Sequence, residues 1–306
     1  MEANKIKQIK SELHSRNRNG ERYDLNALII SNPELKGYLL ENKQGKLSID
    51  FSDPVAVKAL NQALLNYYYG IKNWNFPNEN LCPPIPGRAD YLHYMADLLA
   101  ESNGGVIPIG NKIKCLDIGT GASCIYPIIG VVEYDWSFIA TDIDSHSIAS
   151  AQNIIKSNDM LGGKIECRLQ TNSNYIFENI INNNDRIDIT MSNPPFHRSK
   201  AEAKKVSKRK VKNLKVDSKN QEKLNFSGNS NELICRGGEA QFIKNMIFES
   251  EQFTSNCRWF STLVSKQSNL KEIYRHLKKV GSTNVKTIPM GTGNKTTRIV
   301  AWSYER

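Results

Sequence analysis

Four consecutive residues, Asn193, Pro194, Pro195 and Phe196, directly follow an apolar run at 187–192 that is typical of a buried strand. Prolines fix φ and lack an N–H donor, so carbonyl oxygens near them stay free of secondary structure. The Asn193 side-chain oxygen and the Pro194 carbonyl would accept both protons of an exocyclic amine while Phe196 stacks on its ring. The tetrapeptide therefore favours methylation of a planar amine such as adenine N6. The alternative is an ordinary proline-rich turn.

A second group of residues is typical of nucleotide binding. Asp117 lies in a short buried-strand pattern at 113–118, which is followed by Gly119, Gly121 and Ser123. Glycines let the backbone turn tightly and approach a ligand, although Ser123 replaces the third glycine of the dinucleotide fingerprint. The next apolar run ends at Asp142, about 20 residues past the glycines, where an acid contacts a ribose diol in nucleotide-binding folds.

The order of these parts, a glycine loop after one strand, an acid after the next and the NPPF tetrapeptide after a later one, resembles the class I S-adenosylmethionine-dependent methyltransferases. Within them the chain resembles the adenine-N6 methyltransferases of bacterial 23S ribosomal RNA and their eukaryotic relatives. The most specific stretch is PPIPGRADY at 83–91. The other matching stretches span nearly the whole chain and lie at 16–24, 48–51, 81–82, 193–197, 224–226, 237–239 and 298–302.

The resemblance implies S-adenosylmethionine as cofactor and 23S ribosomal RNA as partner. It implies cofactor contacts for Arg88 and Ser123, with the Arg88 guanidinium paired with the methionine carboxylate. The residue types assign Asp117 to the polar end of the cofactor, Gly119 and Gly121 to its ribose or methionine backbone, and Asp142 to its ribose hydroxyls. Asn193 is expected to contact both cofactor and acceptor.

Some of these residues have structural alternatives. Ser123 is equally well explained as a cap of the following helix. Asp144 is expected to cap the helix after Asp142 rather than to contact ribose. Asp90 is expected to act near a helix N-terminus rather than in catalysis, and His197 is expected to be structural.

The net charge of +10 is concentrated in one segment. Residues 198–215 contain nine Lys or Arg and the single acid Glu202. A solvated loop is the ordinary explanation. However, the segment begins two residues after 193–196, the predicted amine clamp, so a polyanion bound by the segment would present a nucleotide to the clamp. We predict a basic insertion at about 198–236 whose phosphate-binding residues include Lys204, Lys205, Lys208, Arg209 and Lys210.

Composition restricts the class of protein. Six cysteines without a C-x-x-C pair are expected to be reduced core residues of a cytoplasmic protein, and no metal site is expected. No apolar stretch approaches the length of a membrane span, and the N-terminus lacks the apolar core of a signal peptide. We expect a monomer without membrane association.

Periodicity predicts two regions. Residues 1–110 are expected to form a helical cap and RNA-recognition region, with helices near 55–65 and 91–99 that prolines separate. Strands and helices alternate over residues 111–306, which predicts an α/β domain whose last two strands are antiparallel because the link between them is short. The resemblance implies that this domain is of the class I methyltransferase type, Rossmann-like and seven-stranded. The predicted strands lie near 113–118, 137–142, 164–169, 186–192, 258–264, 284–289 and 297–304, and the helices near 145–157, 239–252 and 268–279.

The sequence is also compatible with three other functions. Guanine-N2 methylation of ribosomal RNA also uses an amine with two protons, and NPPF followed by His occurs in such enzymes. Methylation of a protein glutamine uses a related NPP-aromatic clamp, although the basic segment disfavours it. A catalytically silent RNA-binding module would have no chemical need of Asn193 or the glycine loop.

Overall fold

The computed structural model describes residues 13–20, 23–42, 44–195, 234–292 and 295–304. Several predicted site residues lie outside these ranges. They are Phe196, His197 and the basic residues Lys204, Lys205, Lys208, Arg209 and Lys210.

A seven-stranded sheet forms the centre of the molecule. Its strands are β3 (Lys114–Ile118), β4 (Ser137–Asp142), β5 (Ile165–Leu169), β6 (Ile187–Ser192), β7 (Cys257–Val264), β8 (Asn284–Thr292) and β9 (Lys295–Ser303). Their order is β5-β4-β3-β6-β7-β9-β8, and β9 is antiparallel to both of its neighbours while all other pairs are parallel. This confirms the predicted class I fold and its reversed last strand, and each predicted strand is present with ends that differ by a few residues.

Helices cover both faces of the sheet. They are α1 (Leu25–Ser31), α2 (Pro54–Tyr69), α3 (Ile85–Glu101), α4 (Ile125–Tyr134), α5 (Ser145–Lys156), α6 (Gly238–Ser250) and α7 (Leu270–Lys279). A small antiparallel hairpin, β1 (Leu39–Glu41) and β2 (Leu47–Ile49), precedes α2 and was not predicted. The sequence around α2 explains its bounds: Asp53 accepts a hydrogen bond from the N–H of Val55, and Gly70 ends the helix in the left-handed conformation.

The start of α3 differs from the prediction. Its first residue is Ile85, so Pro86 lies in the first turn instead of separating two helices. Proline is tolerated there because the first N–H groups of a helix have no intrahelical acceptor. Arg88 is consequently presented from the first turn of α3.

Two hydrophobic clusters lie against the sheet. The larger contains buried residues of α1, α2 and α3 together with α4, α5 and one face of the strands. The smaller contains α6, α7 and the opposite face. Helices before residue 110 thus share a core with the sheet, and the division into cap and catalytic domain stays a prediction. Among the described residues, no helix is long and apolar enough to cross a membrane.

Candidate active site

A cleft of 940 Å³ opens at the carboxyl ends of the central strands. Open α/β sheets bind ligands at this end, where the strand order changes direction, and β3 lies at that point between β4 and β6. The volume is at the upper end of the range of about 300–1,000 Å³ for small-molecule sites. The predicted residues that line it are Arg88, Gly119, Gly121, Ser123, Asp142, Asn193 and Pro195.

The glycine loop after β3 contains two glycines with positive φ and is hydrogen-bonded to β4. Gly119 and Gly121 have φ values of 75° and 64°, which favour glycine. The N–H groups of Gly119 and Thr120 both donate to the Thr141 carbonyl at 2.9 Å. A Cβ on Gly119 would meet no protein atom within 4 Å. Because Gly119 lines the cleft, that space is available to a ligand.

Asp142 joins the glycine loop to the start of α5. One carboxylate oxygen accepts from the N–H of Gly121 and the other from the N–H of Asp144, each at 2.9 Å. Burial raises the pKa of this carboxyl, and the two backbone donors oppose the rise. A carboxylate oxygen has a second lone pair, so Asp142 retains acceptor capacity toward ribose hydroxyls in the cleft.

Asp117 lies beneath the glycine loop and is fully buried. Within the described residues neither carboxylate oxygen has a well-formed hydrogen bond. Burial raises its pKa to about 7, and the negative charge of Asp142 adds to the rise, while the nearby Thr120 hydroxyl and Arg88 lower it. A buried carboxyl without partners is costly unless a ligand compensates it.

Arg88 forms part of the wall that the cap region contributes, together with Leu81 and Pro83. Its guanidinium donates to the Tyr126 hydroxyl at 3.1 Å and lies 5.4 Å from the Tyr126 ring centre. These contacts fix a cation at the edge of the cleft, with donors remaining for an anionic group.

Residues 193–195 of the predicted amine clamp follow β6, the strand next to β3. Asn193 and Pro195 line the cleft next to the glycine loop, and Pro194 between them is buried. The preceding residue, Ser192, donates its N–H to the Tyr91 hydroxyl at 3.3 Å. Tyr91 also bonds Ser261 of β7 at 2.9 Å. The last residue of the PPIPGRADY stretch therefore contacts the strand that carries the clamp.

Three residues were given helix-terminal roles as alternatives to ligand binding or catalysis, and the structure supports only one of these roles. Asp144 caps α5, as predicted, by accepting from the N–H of His146 and the hydroxyl of Ser147. The residue before α4 is Cys124, without a side-chain cap, so Ser123 lies in the cleft wall and does not cap that helix. The expectation for Asp90 was wrong.

Asp90 is fully buried and lies beyond the first turn of α3. Its carboxylate accepts from the backbone N–H of His14 and from the side-chain amide of Asn17. It therefore anchors the N-terminal segment instead of interacting with a helix terminus. A local pattern cannot reveal such a contact, because its partners are more than 70 positions away in sequence.

Other residues line the cleft that sequence reasoning missed. Those of the loop after β5 include Gln170, Ser173, Asn174, Tyr175 and Ile176, and those around the start of α6 include Arg236, Gly237, Gln241 and Asn245. For the residues around the start of α6, the one indication in the sequence was the GGE stretch at 237–239, which is part of the family resemblance.

The donors and acceptors fit a cofactor with a nucleoside and a cationic amino-acid end. Asp142 offers acceptors for hydroxyls, Asp117 places a carboxyl below the glycine loop, and Arg88 supplies a cation for a carboxylate. Together with the sheet and its reversed β9, this cleft defines the protein as a class I S-adenosylmethionine-dependent methyltransferase. No group of His, Cys, Asp or Glu suited to a metal ion occurs in the described part of the chain.

The chain belongs to the family of RNA methyltransferases whose pattern matches residues 7–306. Two bacterial relatives illustrate the similarity. Ribosomal RNA large subunit methyltransferase F of Photobacterium profundum is 52% identical over 317 residues, which cover 98% of this chain and 94% of the relative. The protein with the same name in Flavobacterium johnsoniae is 53% identical, with 96% and 94% covered.

Solved structures of a human protein share the fold. The hMettl16 catalytic domain in complex with MAT2A 3′UTR hairpin 1 superposes with a TM-score of 0.81 at 29% identity, with 96% of each chain covered. The N-terminal domain of human METTL16 in complex with SAH gives a TM-score of 0.76 at 26% identity, covering 96% of this chain and all of the other.

Proposed function

We propose that this enzyme transfers a methyl group from S-adenosylmethionine to N6 of a specific adenine in 23S ribosomal RNA. One observation carries the proposal: the glycine loop and Asn193 line the same cleft, so a cofactor bound at the loop would lie close to an amine bound at Asn193. The names of the bacterial relatives support a ribosomal RNA substrate. The bound hairpin of the human structure supports a folded RNA as the ligand of this fold.

The chain acts on the acceptor by positioning it. When bound, the cofactor supplies an activated methyl group on a cationic sulfonium. The Asn193 side-chain oxygen and the Pro194 carbonyl accept the two amine protons, which favours pyramidal nitrogen as the new bond forms. A strong general base is not required before attack, because the methylated ammonium is acidic enough to lose its proton to water.

The first test identifies the product. A 23S ribosomal RNA transcript is incubated with the purified protein and S-adenosylmethionine, and its nucleosides are analysed by mass spectrometry. The expected product is N6-methyladenosine. N2-methylguanosine would redirect the assignment to guanine, and methylated glutamine in ribosomal protein without modified RNA would redirect it to a protein substrate.

The second test concerns the clamp. Asn193→Ala should lower kcat by more than about tenfold, equivalent to ~1.4 kcal/mol of transition-state stabilisation, because its amide acts on the acceptor as the bond forms. Affinity for S-adenosylhomocysteine should change little. Asn153→Ala on the exposed face of α5 is the matched control. Retention of wild-type kcat by Asn193→Ala would exclude the clamp.

A further inference from the structure

The loop that follows β5 forms a wall of the cleft on the far side of Asp142 from the clamp. Gln170, at its start, donates its N–H to the Asp142 carbonyl at 2.8 Å. Ser173, Asn174, Tyr175 and Ile176 line the cleft beyond it. This wall suits a planar heterocycle with hydrogen-bonding edges. The Tyr175 ring and the Ile176 side chain can pack on the plane of the heterocycle, and the polar groups of Ser173 and Asn174 can bond its edges.

A single carboxylate holds the end of this loop. Glu249 accepts from the backbone N–H groups of three consecutive residues, Ile176, Phe177 and Glu178, each at 2.8 Å in its shorter contact. Hydrogen bonds to an ionised acceptor are stronger than neutral ones. The loop has no helix or strand of its own here, so these bonds replace the ladder that would otherwise fix its backbone.

A second bond supports the same turn. The side-chain amide of Gln170 donates to the Glu178 carbonyl at 2.7 Å. Both ends of the loop are therefore fixed, the first to β4 through Asp142 and the last to α6 through Glu249.

The position of Glu249 on α6 links the two walls. Gly237, Gln241 and Asn245 line the cleft at intervals of four residues, and Glu249 is the next position in that series. Residues spaced by four lie on one face of a helix. One face of α6 thus lines the cleft at its amino-terminal end and holds the loop after β5 at its carboxyl-terminal end.

We infer that Glu249 is a positioning residue for the nucleoside end of S-adenosylmethionine. It keeps the 173–176 wall in the conformation that receives the adenosine ring, without contacting the cofactor. The inference rests on the proposed function for the reaction and its cofactor, and it does not depend on which RNA base is methylated.

The test uses the full chain and S-adenosylhomocysteine as the probe. Glu249→Gln keeps the side-chain shape but removes the charge and turns an amide donor toward backbone donors. Calorimetric titration should show binding weakened by about tenfold or more. Hydrogen exchange at the amides of 176–178 should accelerate in the same variant, whereas kcat at saturating cofactor should stay near that of the wild type.

Two further variants complete the test. Glu251→Gln removes a charge from an exposed position just after α6 and should leave both affinity and exchange unchanged. Tyr175→Ala alters the wall itself at a side chain that is 44% exposed, so folding is not at risk. Tyr175→Ala should also weaken binding. It is the deciding variant should Glu249→Gln fail to fold.

The outcomes separate this inference from the proposed function. Unchanged S-adenosylhomocysteine affinity in both Glu249→Gln and Tyr175→Ala would overturn the inference. Loss of affinity in Glu249→Gln with wild-type exchange at 176–178 would overturn it as well. Because Asn193→Ala is expected to bind S-adenosylhomocysteine normally, a failure of the clamp would leave these measurements unaffected.

Discussion

At the scale of single residues, the buried carboxyl of Asp117 should make cofactor affinity depend on pH. Its pKa of about 7 places its ionisation near neutral pH. Below that pH the carboxyl is mostly neutral, and above it the carboxyl is mostly charged. S-adenosylmethionine carries positive charge on its sulfonium and ammonium groups, which favour the ionised form of Asp117.

We expect cofactor affinity to rise with pH across this range. Because the cation binds the charged carboxyl better, the dissociation constant should fall by up to about tenfold between pH 6 and pH 8 and level off above that pH. Calorimetric titration at fixed ionic strength measures the effect. Asp117→Asn, which cannot ionise, should bind more weakly and show a flat profile. A similar pH profile in both proteins would assign the dependence to another group.

At the scale of elements, the N-terminal segment supports the helix that presents Arg88. Asn17 donates to the Pro86 carbonyl in the first turn of α3 and to Asp90 one turn later. Arg16 donates to the His93 carbonyl on the same helix. The segment thus donates hydrogen bonds along α3, and one of them goes to the Pro86 carbonyl, two residues before Arg88.

Removal of the Asn17 amide should weaken this attachment. Asn17→Ala leaves the buried Asp90 carboxylate with a single described donor, the N–H of His14. We expect a loss of ~1–3 kcal/mol in the free energy of unfolding, measured by denaturant titration. Asn103→Ala, at an exposed site after α3, should change it by less than ~0.5 kcal/mol. Equal effects of the two substitutions would mean that the Asp90 contact contributes little.

Sequence patterns predicted the elements of the sheet better than those of the cap. Strands such as β3 and β4 are mostly buried because helices cover both faces of the sheet, and each carries an aspartate at or next to its last position. The hairpin β1–β2 was missed because its strands are three residues long and largely exposed, so they carry no clear alternation.

The site was predictable only where its chemistry is local. The glycine loop and Asn193 follow their strands directly in sequence, Asp142 ends its strand, and all of them line the cleft. Tyr91, Glu249 and the role of Asp90 depend on partners more than 70 positions away. Such contacts arise from packing, which a single sequence does not encode in any short pattern.

At the scale of the whole molecule, the distribution of charge predicts how RNA is held. The basic residues at 204–210 lie outside the described ranges, so their role as an RNA arm stays a prediction. In sequence they follow the predicted amine clamp at 193–196. Phosphate contacts release counterions, so binding through them weakens as salt increases.

Neutralising the five basic residues should flatten that salt dependence. We expect substitution by Gln at 204, 205, 208, 209 and 210 to lower the slope of log affinity against log salt by roughly 0.7–0.9 for each phosphate that the arm no longer neutralises. Cofactor binding should not change. Gln at Lys271, Lys278 and Lys279 is the control, since α7 contributes no residue to the cleft wall. An unchanged slope, with unchanged methylation of ribosomal RNA, would exclude the arm.

The position of β9 has a consequence for incomplete chains. Within the described residues β8 pairs with β9 alone, and β9 lies between β8 and β7. A premature stop before Lys295 would therefore remove two strands from the sheet, because β8 would lose its only neighbour. The β7 strand, buried along most of its length, would then become an open edge that can pair with other chains. A late nonsense mutation would thus produce a substrate for chaperones and proteases instead of a slightly shortened enzyme.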